Sequence, residues 1–257
     1  MERYERFYKE DWGDRYGFWH RVITRGEHQI RILKEVINGI EGNSVNILDL
    51  GCGKGDEIKE ALDSIKNKEF HITANDTSME ALDEYSRNMP SYVKEVINDR
   101  LEDVPGKVNG RFDLMLFSHC LYSVSLKGLF KRYIEMLSDK GLILIFLDSS
   151  KSTIKLTQQR FWREIHGVPF DENTGESIVK ELEGDGIEHE SRVFHNYMDM
   201  DRLEEIDKDG VTKLLIPFLA RTHKINKDVM NRIVGYLRKL EKDRRLDNET
   251  FAIMIRR

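Results

Sequence analysis

Apolar and polar positions change their period several times along the chain, and each change marks a new element. Val45-Asn-Ile-Leu-Asp-Leu50 reads as a short buried strand, followed by Gly51, Gly53 and Gly55 at alternate positions and a helix-compatible run from Glu57 to Lys66. Upstream, Glu27-His28-Gln29 opens a segment with Ile30, Ile32, Leu33, Val36 and Ile37 at helical spacing, which Gly39 and Gly42 stop. Downstream, Phe70 to Asp76 alternates as a second strand and Ser91 to Val96 as a third. Phe112 to His119 makes a buried fourth strand, Lys127 to Leu137 an amphipathic helix, Ser138 to Gly141 a turn, and Leu142 to Leu147 a fifth, fully buried strand. Continuous apolar runs alternating with helices predict an α/β fold, a doubly wound and mostly parallel seven-stranded sheet with helices on both faces.

Beyond residue 150 the pattern is less regular. Helices are expected over Leu156 to Ile165 and Ser177 to Glu183, a strand over His189 to Asp199, two or three helices over residues 201–245, and a closing strand at Phe251 to Ile255. The expected organisation is an aromatic N-terminal flap and helix (1–44), an α/β domain (45–200), a helical lid insertion (201–245) and a strand returning to the sheet (246–257). Tyr4, Phe7, Tyr8, Trp12, Tyr16, Phe18 and Trp19 crowd the N-terminal segment. Such density fits either a flap that closes over a ligand or a helix pinned to the core by its rings.

Composition narrows the function class. The 257 residues are 39% hydrophobic and 34% charged, with a formal net charge of -5. An acidic balance disfavours an extended nucleic-acid footprint. The longest apolar run, Leu142 to Leu147, is far too short to cross a bilayer. Cys52 and Cys120 form no C-x-x-C pair, so a reduced, intracellular setting is expected, and no cluster has metal-ligand spacing, so no metal is expected; a cytoplasmic monomer is the expected form.

A strand feeding a glycine-rich turn feeding a helix is a cradle for a nucleotide-like ligand, because backbone N–H groups at the helix start face it. The spacing here is G-x-G-x-G and Asp56 follows, which argues against a pyrophosphate. Asp49, just before the turn, suits a cationic group. Asp76 ends the second strand, where an acid accepts ribose hydroxyls; the competing reading is a helix N-cap. Gly51, Asp76, Asp99 and His119 all fall at carboxyl ends of predicted strands, where ligands of open α/β sheets bind.

Leu48-Asp-Leu-Gly-Cys-Gly-Lys-Gly55, Asp76, Asn98-Asp-Arg100, Phe112-Asp-Leu-Met-Leu-Phe117 and Leu137-Ser-Asp-Lys-Gly-Leu142 together resemble, in order, the motifs of class I S-adenosylmethionine-dependent methyltransferases. A narrower resemblance, to histamine N-methyltransferase and its relatives, rests on Glu27-His-Gln29, Cys120-Leu-Tyr-Ser-Val124, Phe161-Trp162 near Gly167, and Tyr197-Met-Asp-Met200. The resemblance implies S-adenosyl-L-methionine as cofactor, contacted by Asp49, Gly51, Cys52, Gly53, Asp76, Thr77, Asp99, Arg100, Ser118 and Tyr122. It implies a small-molecule amine or imidazole-type acceptor, bound by Tyr16, Phe18, Trp19, Glu27, His119, Trp162, Tyr197 and Asn248, with Glu27 and His119 carrying the catalysis. His119 stands where that family has a substrate-touching glutamine, and Ser123 replaces one of its two adjacent tyrosines. Three alternatives stay open from sequence: a methyltransferase for RNA or protein side chains, a non-catalytic binding module, and a nicotinamide enzyme.

Overall fold

The computed structural model describes Phe18 and residues 21–257. Its element order is α1 (Arg25–Gly39), β1 (Ser44–Leu50), α2 (Asp56–Asp63), β2 (Glu69–Asp76), α3 (Met79–Asn88), β3 (Val93–Asn98), β4 (Phe112–Ser118), α4 (Leu129–Ile134), β5 (Leu137–Asp148), α5 (Thr153–His166), α6 (Gly175–Gly184), β6 (Glu190–Asp199), α7 (Met200–Ile206), a π-helical turn (Val211–Leu215), α8 (Ile216–Ala220), α9 (Lys227–Leu240) and β7 (Arg245–Arg256). The strands form one sheet in the order β3-β2-β1-β4-β5-β7-β6. All four pairings that join β1 through β5 are parallel. The strand order reverses between β1 and β4, which makes their carboxyl ends the topological switch point of the sheet.

Several boundaries differ from expectation for local reasons. The helix expected from Lys127 to Leu137 shrinks to α4, because Gly128 before it is left-handed (φ 66°) and Met136 O is already taken by the Phe112 N–H at 3.0 Å. The turn at Ser138 to Gly141 survives as a bulge within β5: Phe112 pairs with Leu137, and the next match is Leu114 with Leu142. β7 fills the expected return strand (246–257) and begins six residues before the apolar run Phe251–Ile255, because its buried alternation of Leu246, Asn248, Thr250 and Ala252 includes two polar residues. The third strand lies two residues later than expected.

The chain divides into two compact units. The first comprises Glu27–Leu147, Glu172–Val193 and Phe251–Arg257. Its core is strand-built, from Leu48, Leu50, Met115, Phe117, Ile143, Ile145 and Ile253 packed with Phe130 and Tyr133; the Phe117 and Tyr133 rings meet edge to face at 5.0 Å. The second includes Asp148–Asp171 and Phe194–Thr250. Its core is mainly helical, with Phe18, Val22, Phe161, Leu215, Leu219, Ile233 and Leu237 buried together. In α9 the buried Val229, Ile233 and Leu237 recur every fourth residue, the stripe a helix presents to a core.

Candidate active site

The turn after β1 is held by its own backbone and by its neighbours at the strand tips. Gly51 has φ 61°, and a Cβ there would lie 2.3 Å from Cys120 Cβ, so the loops after β1 and β4 touch and no other residue fits. Cys120 Sγ donates to Leu50 O at 3.1 Å, and the Cys52 N–H donates to Asn75 O at 2.9 Å, fastening the turn to β4 on one side and β2 on the other. Gly53 differs: φ is 55°, but a Cβ would meet nothing within 4 Å. Glycine at that point keeps open a cradle that a side chain would fill. α2 then opens on Asp56 and Glu57, and two acids in a first turn oppose a bound phosphate.

Asp76 closes the cradle. Its Oδ2 accepts from the Gly53 N–H at 3.0 Å and its Oδ1 from the Ser78 N–H at 2.9 Å. Burial pushes this carboxyl above its ordinary range, against the pull of backbone N–H groups at Ser78, Gly53 and Thr77. The N-cap of α3 is Ser78, whose side chain accepts from Ala81 N at 3.3 Å, so the competing cap reading of Asp76 does not hold. A carboxylate has about four acceptor positions, so two backbone donors leave Asp76 capacity for hydroxyl groups.

Two residues that sequence reasoning missed support these acids. Asn75 is fully buried, and its Nδ2 donates to both Ile97 O and Asp99 O at 2.9 Å, fixing the tip of β3 beside β2. Tyr85, from α3, donates its hydroxyl to Asp49 Oδ2 at 2.7 Å. Asp49 is 2% exposed, and desolvation pushes it up to about 7; the Tyr85 hydrogen bond works against that shift, while the charges of Asp76 and Glu57 add to it. Burial likewise raises both thiols, at Cys52 and Cys120.

At the tip of β4 the control passes to side chains. His119 adopts φ 54°, uncommon for a residue with a Cβ, and its N–H donates to Phe146 O at 2.9 Å. Its ring has a partner on each nitrogen: Gln29 Nε2 lies 2.6 Å from Nε2, and the Tyr122 hydroxyl 2.8 Å from Nδ1. Gln29 comes from α1 and is buried, whereas Glu27, two residues earlier, is exposed.

Asp99 pairs with Lys107 and accepts from the Arg100 N–H, while Thr77 and Arg100 are exposed and Ser118 is half-buried. Phe18 is buried in the helical core, edge to face with Phe218 at 5.9 Å. Trp162 is buried against His166 and Phe170, with ring centroids 4.1 and 5.5 Å away. Tyr197, on β6, is 37% exposed, and the Arg245 guanidinium lies 5.9 Å from its ring. Asn248 is fully buried and donates to Asp148 Oδ1 at 3.0 Å. Tyr16 and Trp19 lie outside the described residues.

A model of the methyltransferase domain matches residues 18–188. The chain belongs to that family. It is a class I S-adenosylmethionine-dependent methyltransferase, and S-adenosylmethionine is its cofactor. No curated protein matches the sequence. Among solved structures the methyltransferase is similar to the YcgJ protein of Bacillus subtilis, at 11% identity and TM-score 0.61, covering 90% of this chain and 98% of that one. It is also similar to the plantazolicin methyltransferase BamL in complex with a triazolic desmethylPZN analog and SAH, at 17% identity and TM-score 0.53, covering 98% and 94%. A third is geranyl diphosphate C-methyltransferase from Streptomyces coelicolor, bound to Mg2+, geranyl diphosphate and S-adenosyl-L-homocysteine, at 12% identity and TM-score 0.51, covering 90% and 78%. Identities this low carry the fold and leave the acceptor open. Among the described residues, no helix is long and apolar enough to cross a membrane.

Proposed function

We propose that this methyltransferase transfers a methyl group to a nitrogen of a small amine or imidazole-type molecule, in the manner of the histamine N-methyltransferases it resembles. The observation that carries the reading is the hydrogen bond from Gln29 to His119. It ties the helix headed by Glu27-His28-Gln29 to the tip of β4, next to Cys120, which abuts the glycine turn. Two segments of the narrower resemblance, far apart in sequence, thus meet beside the cofactor's cradle.

The cofactor, when bound, supplies a methyl group on a sulfonium, open to in-line attack by a nitrogen lone pair. The chain contributes alignment and exclusion of water. Asp76 accepts the ribose hydroxyls, Gly51, Cys52 and Gly53 offer the bare backbone of the turn, and Asp49 faces the cationic end of the amino-acid portion. Thr77, Asp99, Arg100, Ser118 and Tyr122 complete the cofactor assignment. Glu27 holds a cationic end of the acceptor, and its exposure leaves it accessible to one. His119 hydrogen-bonds the acceptor nitrogen or takes its proton, which requires one of its two ring hydrogen bonds to open. Tyr16, Phe18, Trp19, Trp162, Tyr197 and Asn248 are assigned to the acceptor by the same resemblance; aromatic faces favour a cation. The helical segment 201–245 serves acceptor selection.

The test is a competition. The protein receives methyl-labelled S-adenosylmethionine together with a panel of small amines and imidazoles, RNA, and a mixture of folded proteins. Label is expected in a small nitrogen base. Label in RNA or polypeptide would replace this reading, and cofactor binding without transfer to any acceptor would reduce the chain to a binding module.

A further inference from the structure

Three strand tips are tied together at residue 75. The main-chain oxygen of Asn75 accepts from the Cys52 N–H at 2.9 Å, in the turn after β1. Its side-chain Nδ2 donates to Ile97 O and to Asp99 O, both at 2.9 Å. Both partners are carbonyl oxygens, which only accept, so the amide can face one way only. The ladder between β2 and β3 ends with Asp76 opposite Asn98, so Asp99 O lies beyond the last backbone pair and is held there by this side chain. Asn98 returns the tie, its Nδ2 donating to Asp76 O at 3.0 Å.

The arrangement is not the least costly way to fill a buried strand position. Asn75 is fully buried, and its Oδ1 has no partner among the described residues, which is unfavourable for a polar atom out of water. A leucine of similar size would bring no such atom, but it would strip two main-chain carbonyls of their donor. What the amide gains is a fixed place for the segment that ends in Asp99, next to Asp76. The Asp99 carboxylate accepts from the Arg100 N–H at 2.9 Å and pairs with Lys107. With about four acceptor positions, it keeps capacity for a donor on a ligand.

The strand order β3-β2-β1-β4 gives these ties a direction. The cofactor joins an amino-acid portion, a ribose and a base in line. With the first against the turn after β1 and the second at Asp76, the base is directed to the tip of β3. We infer that Asn75 is a positioning residue that holds Asp99 at the right span from Asp76, and so sets the preference of this site for the exocyclic amino group of adenine. The inference rests on the assignment of Asp76 and Asp99 to the cofactor in the proposed function.

The test is calorimetry of the full chain with S-adenosyl-L-homocysteine and S-inosyl-L-homocysteine, whose bases carry an amino group in one and an oxo group in the other. The unaltered protein should bind the adenosyl form about 30-fold more tightly, since an oxo group in place of the donor faces the Asp99 carboxylate. Asn75→Leu and Asn75→Asp should cut that preference to about threefold by weakening the adenosyl form, with the inosyl form changed less than about twofold. Asp76→Ala should weaken both forms alike, because they share the ribose. No preference in the unaltered protein would overturn the inference, as would Asn75 variants that keep the preference or that weaken both forms equally, the sign of a merely structural role. If neither variant folds, proton exchange at Asn75 Nδ2 in the 15N-asparagine-labelled protein decides. It should slow on adding the adenosyl form and not the inosyl form, and equal protection by the two would refute the assignment. An Asp76→Ala that binds both forms normally would sink the ribose assignment, while a lost adenine preference in Asn75→Leu would still uphold this inference.

Discussion

The tips of β1 and β4 lie side by side at the switch point of the sheet, yet they are made in opposite ways. The β1 tip presents main chain: Gly51 and Gly53 sit at positive φ, and the turn's own N–H and C=O groups are what Asn75, Asp76 and Cys120 hold. The β4 tip also turns at positive φ, but with a histidine, and its geometry is held by Gln29 and Tyr122 side chains. A main-chain cradle suits a ligand that a whole family shares. A side-chain cluster can be altered one residue at a time, and is where one member differs from another.

The contrast breaks most sharply at the two glycines. Gly51→Ala would drive a Cβ to 2.3 Å from Cys120 Cβ, while at Gly53 the same change meets nothing within 4 Å. Gly51→Ala should lower stability by about 3 kcal/mol or more, the range for overpacking combined with backbone strain, seen as a large drop in melting temperature. Gly53→Ala should cost only ~1 kcal/mol of strain but weaken cofactor binding about 100-fold, because its methyl group occupies the cradle. Wild-type affinity in Gly53→Ala would show that the ligand does not approach that backbone.

Asp76→Ala should weaken cofactor binding about 100-fold by calorimetry, roughly the worth of charge-assisted hydrogen bonds, with little change in acceptor KM once the cofactor saturates. Unchanged affinity would remove the ribose assignment. Asp49 adds a pH signature. Its carboxyl is raised from 3.8 to about 7 in the folded chain, so the folded state keeps a proton that the unfolded state releases. Stability of the cofactor-free protein therefore declines as pH rises from about 4 to about 7. Cofactor affinity moves the other way, rising about tenfold from pH 6 to 8 and levelling above, since a cation favours the ionised acid. Asp49→Asn should flatten both profiles. The smallest effect belongs to the exposed Glu27: Glu27→Gln should raise acceptor KM about fivefold with cofactor affinity unchanged, and a loss of cofactor affinity would put that residue on the wrong ligand.

The same contrast governs what could be read from sequence. Alternating glycines after an apolar strand announce a backbone cradle, and Asp76 closing the next strand announces its acid, because both follow from local pattern and the repeat of an α/β unit. Asn75 and Tyr85 stayed hidden. Asn75 looks like an ordinary strand residue until the register of β2 against β3 brings Ile97 O and Asp99 O to its amide. Tyr85 reads as a core-facing helix position, and only the packing of α3 reveals that its hydroxyl reaches Asp49. Gln29 was visible in the Glu27-His28-Gln29 motif, but its partner stands 90 residues away and is chosen by tertiary structure. The apolar run Phe251–Ile255 marks only the end of β7, since hydrophobicity alone does not show Asn248 and Thr250 as buried strand positions, although they hydrogen-bond with Asp148 and Asn196.

Cys120 and Cys52 flank the cradle as neutral thiols, each held far from ionisation by burial and by nearby acids. A sulfhydryl in that state is a poor nucleophile, so alkylating reagents should react slowly with these half-buried thiols. The rate of labelling then becomes a built-in gauge of how covered this corner is, and a bound cofactor should slow it.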